Sequence, residues 1–573
     1  MPASQAPKAV ETVAYTLRLH NSATDISHAV AALETLDPAI TGVDAPRQEI
    51  FRIDTRLIMR IRKLAGSTAL VMILAAPAMA DVTPEQVWEN WLALIQGNGQ
   101  TVTTESVARD GDALVVTGLT LGIAQEGVTG EGSIEEMVFT DQGDGTVAVT
   151  MSENYPISLT FDPPADEADG EPTTVTIDVT QPDLTIIASG DAAETTYDFT
   201  APTLTVALGS IEGVAAEAID TTAEAVLTNV TGSYLFSAGE GETSDLTSSF
   251  AADSLTLTVN GTDLDPSPAE GEGAGPSTVK LTMNVANITG TTNGTLLSAE
   301  AMADMAAALQ AGFATEGTVN AGATTYDMEV TDPTGLTKVN LTGESSSLGF
   351  AMDASRLSYS AGTKGVAMTM SAPTIPFPQV NLNYGEAAFS FLMPVGPSGA
   401  PADFAFLTRI ADLSISEEIW AIIDPTQQLP RDPATLVIDT KGTATLTTSL
   451  MDEAAMATLG DAPPGELNSL DITELRAKIA GAELTGTGAL TFDNTDLVSF
   501  GGMPAPTGQI DLKLVGGNTL MDKLVAMGLL PQDQAMGFRM MLSMFANATG
   551  EDELTSVLEF KDGGFFANGQ QLQ

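Results

Sequence analysis

Along most of this chain, apolar and polar residues alternate one for one. In Thr174-Val-Thr-Ile-Asp-Val-Thr180, residues Val175, Ile177 and Val179 fall on one face of an extended segment and Thr176 and Asp178 on the other. The same period of two returns in Leu255–Val259, Val279–Val285 and Ile510–Leu514. Such segments predict strands with one buried and one wet face. Between them, Asp141-Gln-Gly-Asp-Gly145, Asp162-Pro-Pro-Ala-Asp166 and Asp263-Leu-Asp-Pro-Ser-Pro268 carry the residues of tight turns and loops. The pattern predicts a mainly β (α+β) fold: a long antiparallel meandering sheet, or an open groove or sandwich, with a few covering helices. No period is regular enough for a solenoid or propeller.

Helical spacing appears in few places. Thr83-Pro84-Glu85 reads as an N-cap and first turn, after which Val87, Trp88, Trp91, Leu92 and Ile95 form one apolar stripe. Residues 298–313 predict a second, Ala- and Met-rich helix lying on a sheet. The small and cyclic residues of Pro394-Val-Gly-Pro-Ser-Gly-Ala-Pro401 predict a boundary between a β-rich acidic lobe, 81–394, and a C-terminal α+β lobe, 402–573. In the second lobe we expect a short helix over 416–423, a strand from Leu436, and helices over 518–527 and 532–546 broken at Pro531. A strand over 554–560 then precedes a Gly563-Gly564 turn. Met536, Met540, Met541, Met544 and Phe545 give the last helix a soft apolar face, suited to core packing or to a variable apolar ligand.

Near the N-terminus, Met59-Arg60-Ile61-Arg62-Lys63 opens an apolar run, Leu64–Ala76, that ends in Ala78-Met79-Ala80 before Asp81. This is the basic, apolar and small-residue order of a secretory signal peptide. Residues 59–80 are therefore expected to be removed, and residues 1–58 to be a leader from a mis-assigned start. The expected location is the periplasm, or alternatively the extracellular space. The run is shorter than the roughly 20 apolar residues of a spanning helix, so no transmembrane anchor is expected in the mature chain. Both histidines, His20 and His28, precede the cut, and the chain has no cysteine. The mature protein thus lacks the commonest general base, the thiol nucleophile and the usual zinc ligands.

Charge narrows the partners. The 22 Lys and Arg against 75 Asp and Glu give a net charge of -53 at pH 7, and no Lys or Arg lies between Arg109 and Lys280. Nucleic acid is excluded as a partner, because binding to phosphates depends on Lys and Arg neutralising them. A hydrophobic fraction of 43% is nevertheless too high for a disordered chain. Among chemical motifs, Ser277-Thr-Val-Lys280 has Ser-x-x-Lys spacing, but it leads straight into an alternating strand that sets Ser277 and Lys280 on opposite faces. Asp141–Gly145 resembles a fragment of a calcium loop without the remaining ligands. With so many carboxylates, some pair will lie at a glycosidase-like separation by chance. No catalytic residue, metal ligand or cofactor is assigned.

Four stretches carry a family resemblance: Trp420-Ala-Ile-Ile-Asp424-Pro425, Leu429-Pro-Arg-Asp-Pro-Ala-Thr435, Leu520-Met-Asp-Lys-Leu-Val-Ala-Met-Gly-Leu-Leu530 and Phe560-Lys-Asp-Gly563. The chain resembles the exported bacterial family catalogued as domain of unknown function 2125, over most of residues 81–573. The resemblance implies export and a long β-rich architecture, and brings no established activity or site. The C-terminal arrangement is also loosely similar to AsmA-like envelope proteins, whose long curved sheets form apolar grooves linked to lipid traffic. The resulting expectation is an exported, non-enzymatic envelope protein that binds or transfers an apolar, lipid-like ligand in a β groove, against Met536, Met540, Met541, Met544 and Phe545. The alternatives are a ligand-free structural or surface protein of the envelope and a carboxylate-based glycan-acting enzyme.

Overall fold

The computed structural model describes residues 82–97, 100–125, 127–162, 172–191, 193–213, 219–238, 243–263, 277–298, 301–460 and 462–572. The expected leader, signal peptide and cleavage site lie outside the described residues, as does most of the 162–166 and 263–268 loops. Among the described residues the alternating segments form one 27-stranded antiparallel sheet. It begins with β1 (Thr101–Thr103) and β2 (Ser106–Asp110) laid end to end along β3 (Ala113–Gln125), which pairs with β4 (Val128–Asp141). On β4, β5 (Val147–Met151) and β6 (Asn154–Phe161) again lie end to end. β7 (Thr173–Thr180) continues from β6, β8 (Thr185–Gly190) continues from β5, and the long β9 (Glu194–Glu212) spans both.

Three long hairpin strands follow: β10 (Ile219–Ala238), β11 (Ser244–Asp263) and β12 (Ser277–Leu296). The two-rank arrangement then recurs. β13 (Ala314–Ala321) and β14 (Thr324–Asp332) share β12, β15 (Gly335–Gly343) pairs with β14, β16 (Ser345–Met352) pairs with β13, and β17 (Arg356–Ser371) spans both. The meander continues through β18 (Val380–Pro394), β19 (Ala402–Ile415), β20 (Ala434–Leu446), β21 (Gly465–Ile479), β22 (Ala482–Asp493) and β23 (Ala505–Val515). At its end, β24 (Asn547–Gly550) and β26 (Gly564–Ala567) share the free edge of β25 (Glu553–Lys561), and β27 (Gln570–Gln571) borders β26.

A single crease crosses these strands. Residues Gly118, Asn229, Asn287, Gly365 and Asp412 have φ of 60°, 49°, 52°, 59° and 56°, the left-handed region that a strand interior normally avoids. The strand registers align them with one another and with the breaks between the end-to-end strands. Asn229 falls opposite Pro202 on one side and Asp253 on the other, Asp253 opposite Asn287, and Gly365 opposite Gly385. At each crossing two residues instead of one separate successive inward side chains. Leu227, Leu255 and Val285 form one cross-strand rung, while Val230, Ala252 and Ile288 share the inner face one step further. The strands therefore bend, and the apolar faces of the two wings turn toward each other.

Chemistry at the crease explains its position. A Cβ on Gly118 would meet Glu105 Cγ at 2.3 Å, and one on Gly365 would meet Glu344 Cγ at 2.4 Å, so each glycine lets an acidic side chain cross over it. Asn229 instead donates from Nδ2 to Asp253 Oδ2 at 2.7 Å. Pro202 needs no ladder partner for its nitrogen.

The N-terminal half of the trough is filled by α1 (Pro84–Gly97). Thr83 and Gln86 form a reciprocal cap, with the Gln86 amide donating to Thr83 Oγ1 and the Thr83 amide donating to Gln86 Oε1. Val87, Trp88 and Trp91 enter a core with Val116, Phe139, Val149, Ile186, Tyr197 and Val230. The ring of Phe139 meets Trp88 at 5.8 Å and Trp91 at 5.3 Å, both edge-on. Glu85 accepts from Arg109 at 2.6 Å, tying the wet face of the helix to the sheet edge.

Two expectations change in the structure. The stretch Pro394–Pro401 is the connection between β18 and β19, which pair directly, so the sheet passes through the expected boundary between 81–394 and 402–573 without interruption. Prolines and glycines suit a loop inside one sheet as well as a linker between two bodies. The expected helix over 298–313 is divided into a 3-10 turn, Ala301–Ala303, and α2 (Met305–Gln310), because Asp304 caps the second piece by accepting from the Ala307 amide at 3.0 Å. The short helix and the two C-terminal helices appear as α3 (Glu417–Ile423), α5 (Gly517–Ala526) and α6 (Gln532–Phe545). Between them α4 (Glu453–Leu459) had no periodic signal.

Candidate functional site

Beyond β12 the trough continues but α1 does not. Its inner face can be read rung by rung from the register. Val319, Leu348, Ala361, Phe389 and Thr408 form one row across β13, β16, β17, β18 and β19, and Gly317, Phe350, Tyr359, Phe391 and Phe406 form the next. The opposite wing contributes Leu281, Met328, Val339, Met370 and Val380, then Met283, Tyr326, Leu341, Met368 and Leu382. None of these twenty positions is charged. The outer face of the same strands is polar: Asp327 accepts from Asn340, and Glu329 from Lys338, whose hydrogen bond holds the Glu329 carboxyl below its ordinary value. One strand period thus sorts charge to the outside and apolar surface to the inside.

What distinguishes this half is exposure. Val319, Leu348, Phe350, Phe389, Phe406, Ile410 and Leu436 keep between 37% and 47% of their surface open, whereas the inner face under α1 is buried. The rings are ordered nonetheless. Phe391 stacks on Tyr359 at 6.1 Å with planes 26° apart, and Phe389 meets Phe406 edge-on at 5.7 Å. One flank is closed by a second small core in which Ala308, Leu309, Phe313 and Val395 gather Met352, Leu357 and Met451. The exposed face is an uncharged strip of aromatic and aliphatic surface with one flank closed by that core.

Two of the four family-like stretches, Trp420–Pro425 and Leu429–Thr435, lie elsewhere, in a structural knot; Leu520–Leu530 falls on α5 and the turn after it, and Phe560–Gly563 on the end of β25. Asp424, fully buried at the end of α3, accepts from the amides of Leu429 at 2.7 Å and Gln428 at 3.0 Å, from Thr426 Oγ1 at 3.2 Å, and from Arg431 Nη1 at 2.8 Å. Burial alone would raise the Asp424 carboxyl; the four donors together outweigh it and hold the group well below the ordinary carboxylate range. The Arg431 guanidinium also covers the Trp420 ring at 4.5 Å. Lys478 pairs with Asp432 at 3.5 Å, fastening the segment to the outer face of β21. The knot orders the loop that joins α3 to β20.

The residues singled out on the last helix behave differently from the strip. α6 packs through Ala535, Arg539 and Leu542, while Met536, Met540, Met541 and Met544 are exposed on its far side. Only Phe545 turns back, its ring 6.5 Å from Phe565 and its carbonyl accepting from Ser556 Oγ and Asn568 Nδ2. The five residues therefore do not line a gap between helix and sheet. Ser277 is buried and Lys280 exposed, on opposite faces of β12. The strip itself was visible in part: Phe389-Ser-Phe391 and Phe404-Ala-Phe406 place aromatic pairs two apart, the spacing of one strand face. Met283, Met328, Met368 and Met370 were not, because they come from three separated regions of chain.

A family model described as "Uncharacterized protein conserved in bacteria (DUF2125)" matches residues 276–571. No curated protein matches this sequence. Among solved structures, the "Crystal structure of ferric citrate transporter FecA in the unliganded form" overlaps 82% of this chain and 76% of that one, with 7% identity and a TM-score of 0.15, too low to imply a shared fold. Among the described residues no helix is long and apolar enough to cross a membrane.

Proposed function

This chain belongs to the DUF2125 family of uncharacterized bacterial proteins, and from that premise we propose that it is an exported, non-enzymatic envelope protein that binds or transfers an acyl-chain ligand in the open half of its trough. One observation carries the reading. A continuous uncharged inner face is covered by its own helix over one half and left open over the other, with seven large apolar side chains exposed together. Soluble chains rarely expose so much contiguous apolar surface unless something covers it. From β13 to β20 the strip crosses six strands, about 24 Å at the spacing of paired strands, a length comparable with an extended acyl chain. Each methylene covered there would contribute about 0.8 kcal/mol. The uncharged lining suits the chain of such a ligand and leaves its headgroup outside.

Native mass spectrometry of protein purified from its own envelope, with titration by a fluorescent acyl probe, tests this reading. A retained lipid or saturable binding at micromolar probe is expected. Protein that carries no lipid and binds no probe would leave the ligand-free structural reading in its place.

A further inference from the structure

The helix α6 is inside out. Its packed stripe, Ala535, Arg539 and Leu542, includes an arginine, and Arg539 is bonded to Asn518 Oδ1 and the Asn518 carbonyl, both at 3.2 Å, and to Asp522 at 2.6 Å. The outward stripe is Met536, Met540 and Met544, spaced four apart, with Met541 beside it. An ordinary surface helix has the reverse arrangement. With Leu529 and Phe538, these side chains are between 47% and 68% exposed. The hydrogen bonds of Arg539 to α5, and those of Ser556 and Asn568 to the Phe545 carbonyl, hold the helix in this orientation.

We infer that the α5–α6 hairpin docks the protein on the surface of a zwitterionic lipid bilayer, with the methionine stripe entering the interface. Charge selects this occupant. Residues 517–546 carry Asp522 and Asp533 against Lys523 and Arg539, a net of zero in a chain whose total is -53. A second copy would bring two strongly acidic bodies together, and a basic protein partner would find only two acids on the hairpin. A net-neutral lipid surface meets neither obstacle, and it accepts flexible thioether side chains without demanding a fixed shape. This inference does not depend on the acyl-chain reading of the trough.

Flotation of the full chain with phosphatidylcholine/phosphatidylethanolamine vesicles tests it. Wild-type protein should float with the vesicles at physiological and at high NaCl. Replacing two exposed side chains together, Met540→Gln and Met544→Gln, should reduce partitioning by about tenfold or more while leaving the circular dichroism spectrum and thermal midpoint in place. Acyl-probe binding by the same variant should be unchanged, which separates this test from that of the trough. Failure of the wild type to float, or equal flotation of the variant, would overturn the proposal. Sedimentation showing a dimer that the substitutions dissolve would overturn it in favour of a second copy.

Discussion

Phe139 and Phe389 make a matched pair on the inner face, one under α1 and one in the open half. Truncating each to alanine tests whether the two halves differ as described. Phe139 is fully buried and touches both Trp88 and Trp91, whereas Phe389 keeps 39% of its surface exposed. A buried Phe→Ala change costs about 3–5 kcal/mol, and the loss of two edge-on ring pairs sets Phe139→Ala near the top of that range, about 4–5 kcal/mol. Phe389 leaves behind a notch open to solvent instead of a sealed cavity, and only the covered part of its ring is lost, so about 2–3 kcal/mol is expected. Urea denaturation read by far-UV circular dichroism measures both, and tryptophan emission reports Phe139→Ala directly, since two of the three tryptophans lie against it. The ligand assay should invert the order: Phe389→Ala weakens acyl-probe binding, while Phe139→Ala leaves it intact in the folded fraction. Equal stability losses, or probe binding indifferent to Phe389, would refute the division into a filled and an open half.

Further outcomes follow from the crease, the knot, the charge and the N-terminus. Gly365→Val should cost at least about 1–3 kcal/mol in urea midpoint, because φ of 59° is strained for a branched side chain and the new Cβ would meet Glu344. Gly399, also at positive φ but with open space around it, should tolerate alanine better. Asp424 is depressed below its reference value of 3.8, so its contribution is present above that pH and is lost as pH falls through the lower folded value. Asp424→Asn should flatten the acid side of the stability profile measured by thermal melts from neutral pH downward. With a net charge of -53, thermal stability should rise between low and molar NaCl as the Debye length shrinks to about 3 Å; a fall would show that self-repulsion is not the governing term. Intact-mass analysis of protein from its own envelope should find Asp81 at the N-terminus, and a species retaining residues 1–58 would contradict the signal-peptide reading.

By itself the sequence determined the local terms. The period of two marked β7, β11, β12 and β23 and assigned their faces correctly, because a strand's side-chain direction depends only on position along the chain. The Thr83-Pro84 start and the stripe Val87, Trp88, Trp91 placed α1, since capping and helical spacing are also local. The interruptions were present in the sequence too, as Asn229, Asn287, Gly365 and Asp412, but each is a single residue that resembles any loop position. Only pairing puts them in one line: the crease exists because Asn229 faces Asp253, Asp253 faces Asn287, and Gly365 faces Gly385 across separate strands. The same holds for function. Phe350, Tyr359, Phe391 and Phe406 become one surface through register, and whether that surface is core or groove depends on where α1 stops. The methionines of α6 show the converse, since their helical spacing was legible, yet which side of that helix faces the protein was decided by Arg539 reaching Asn518 and Asp522, a contact between helices that no local pattern encodes.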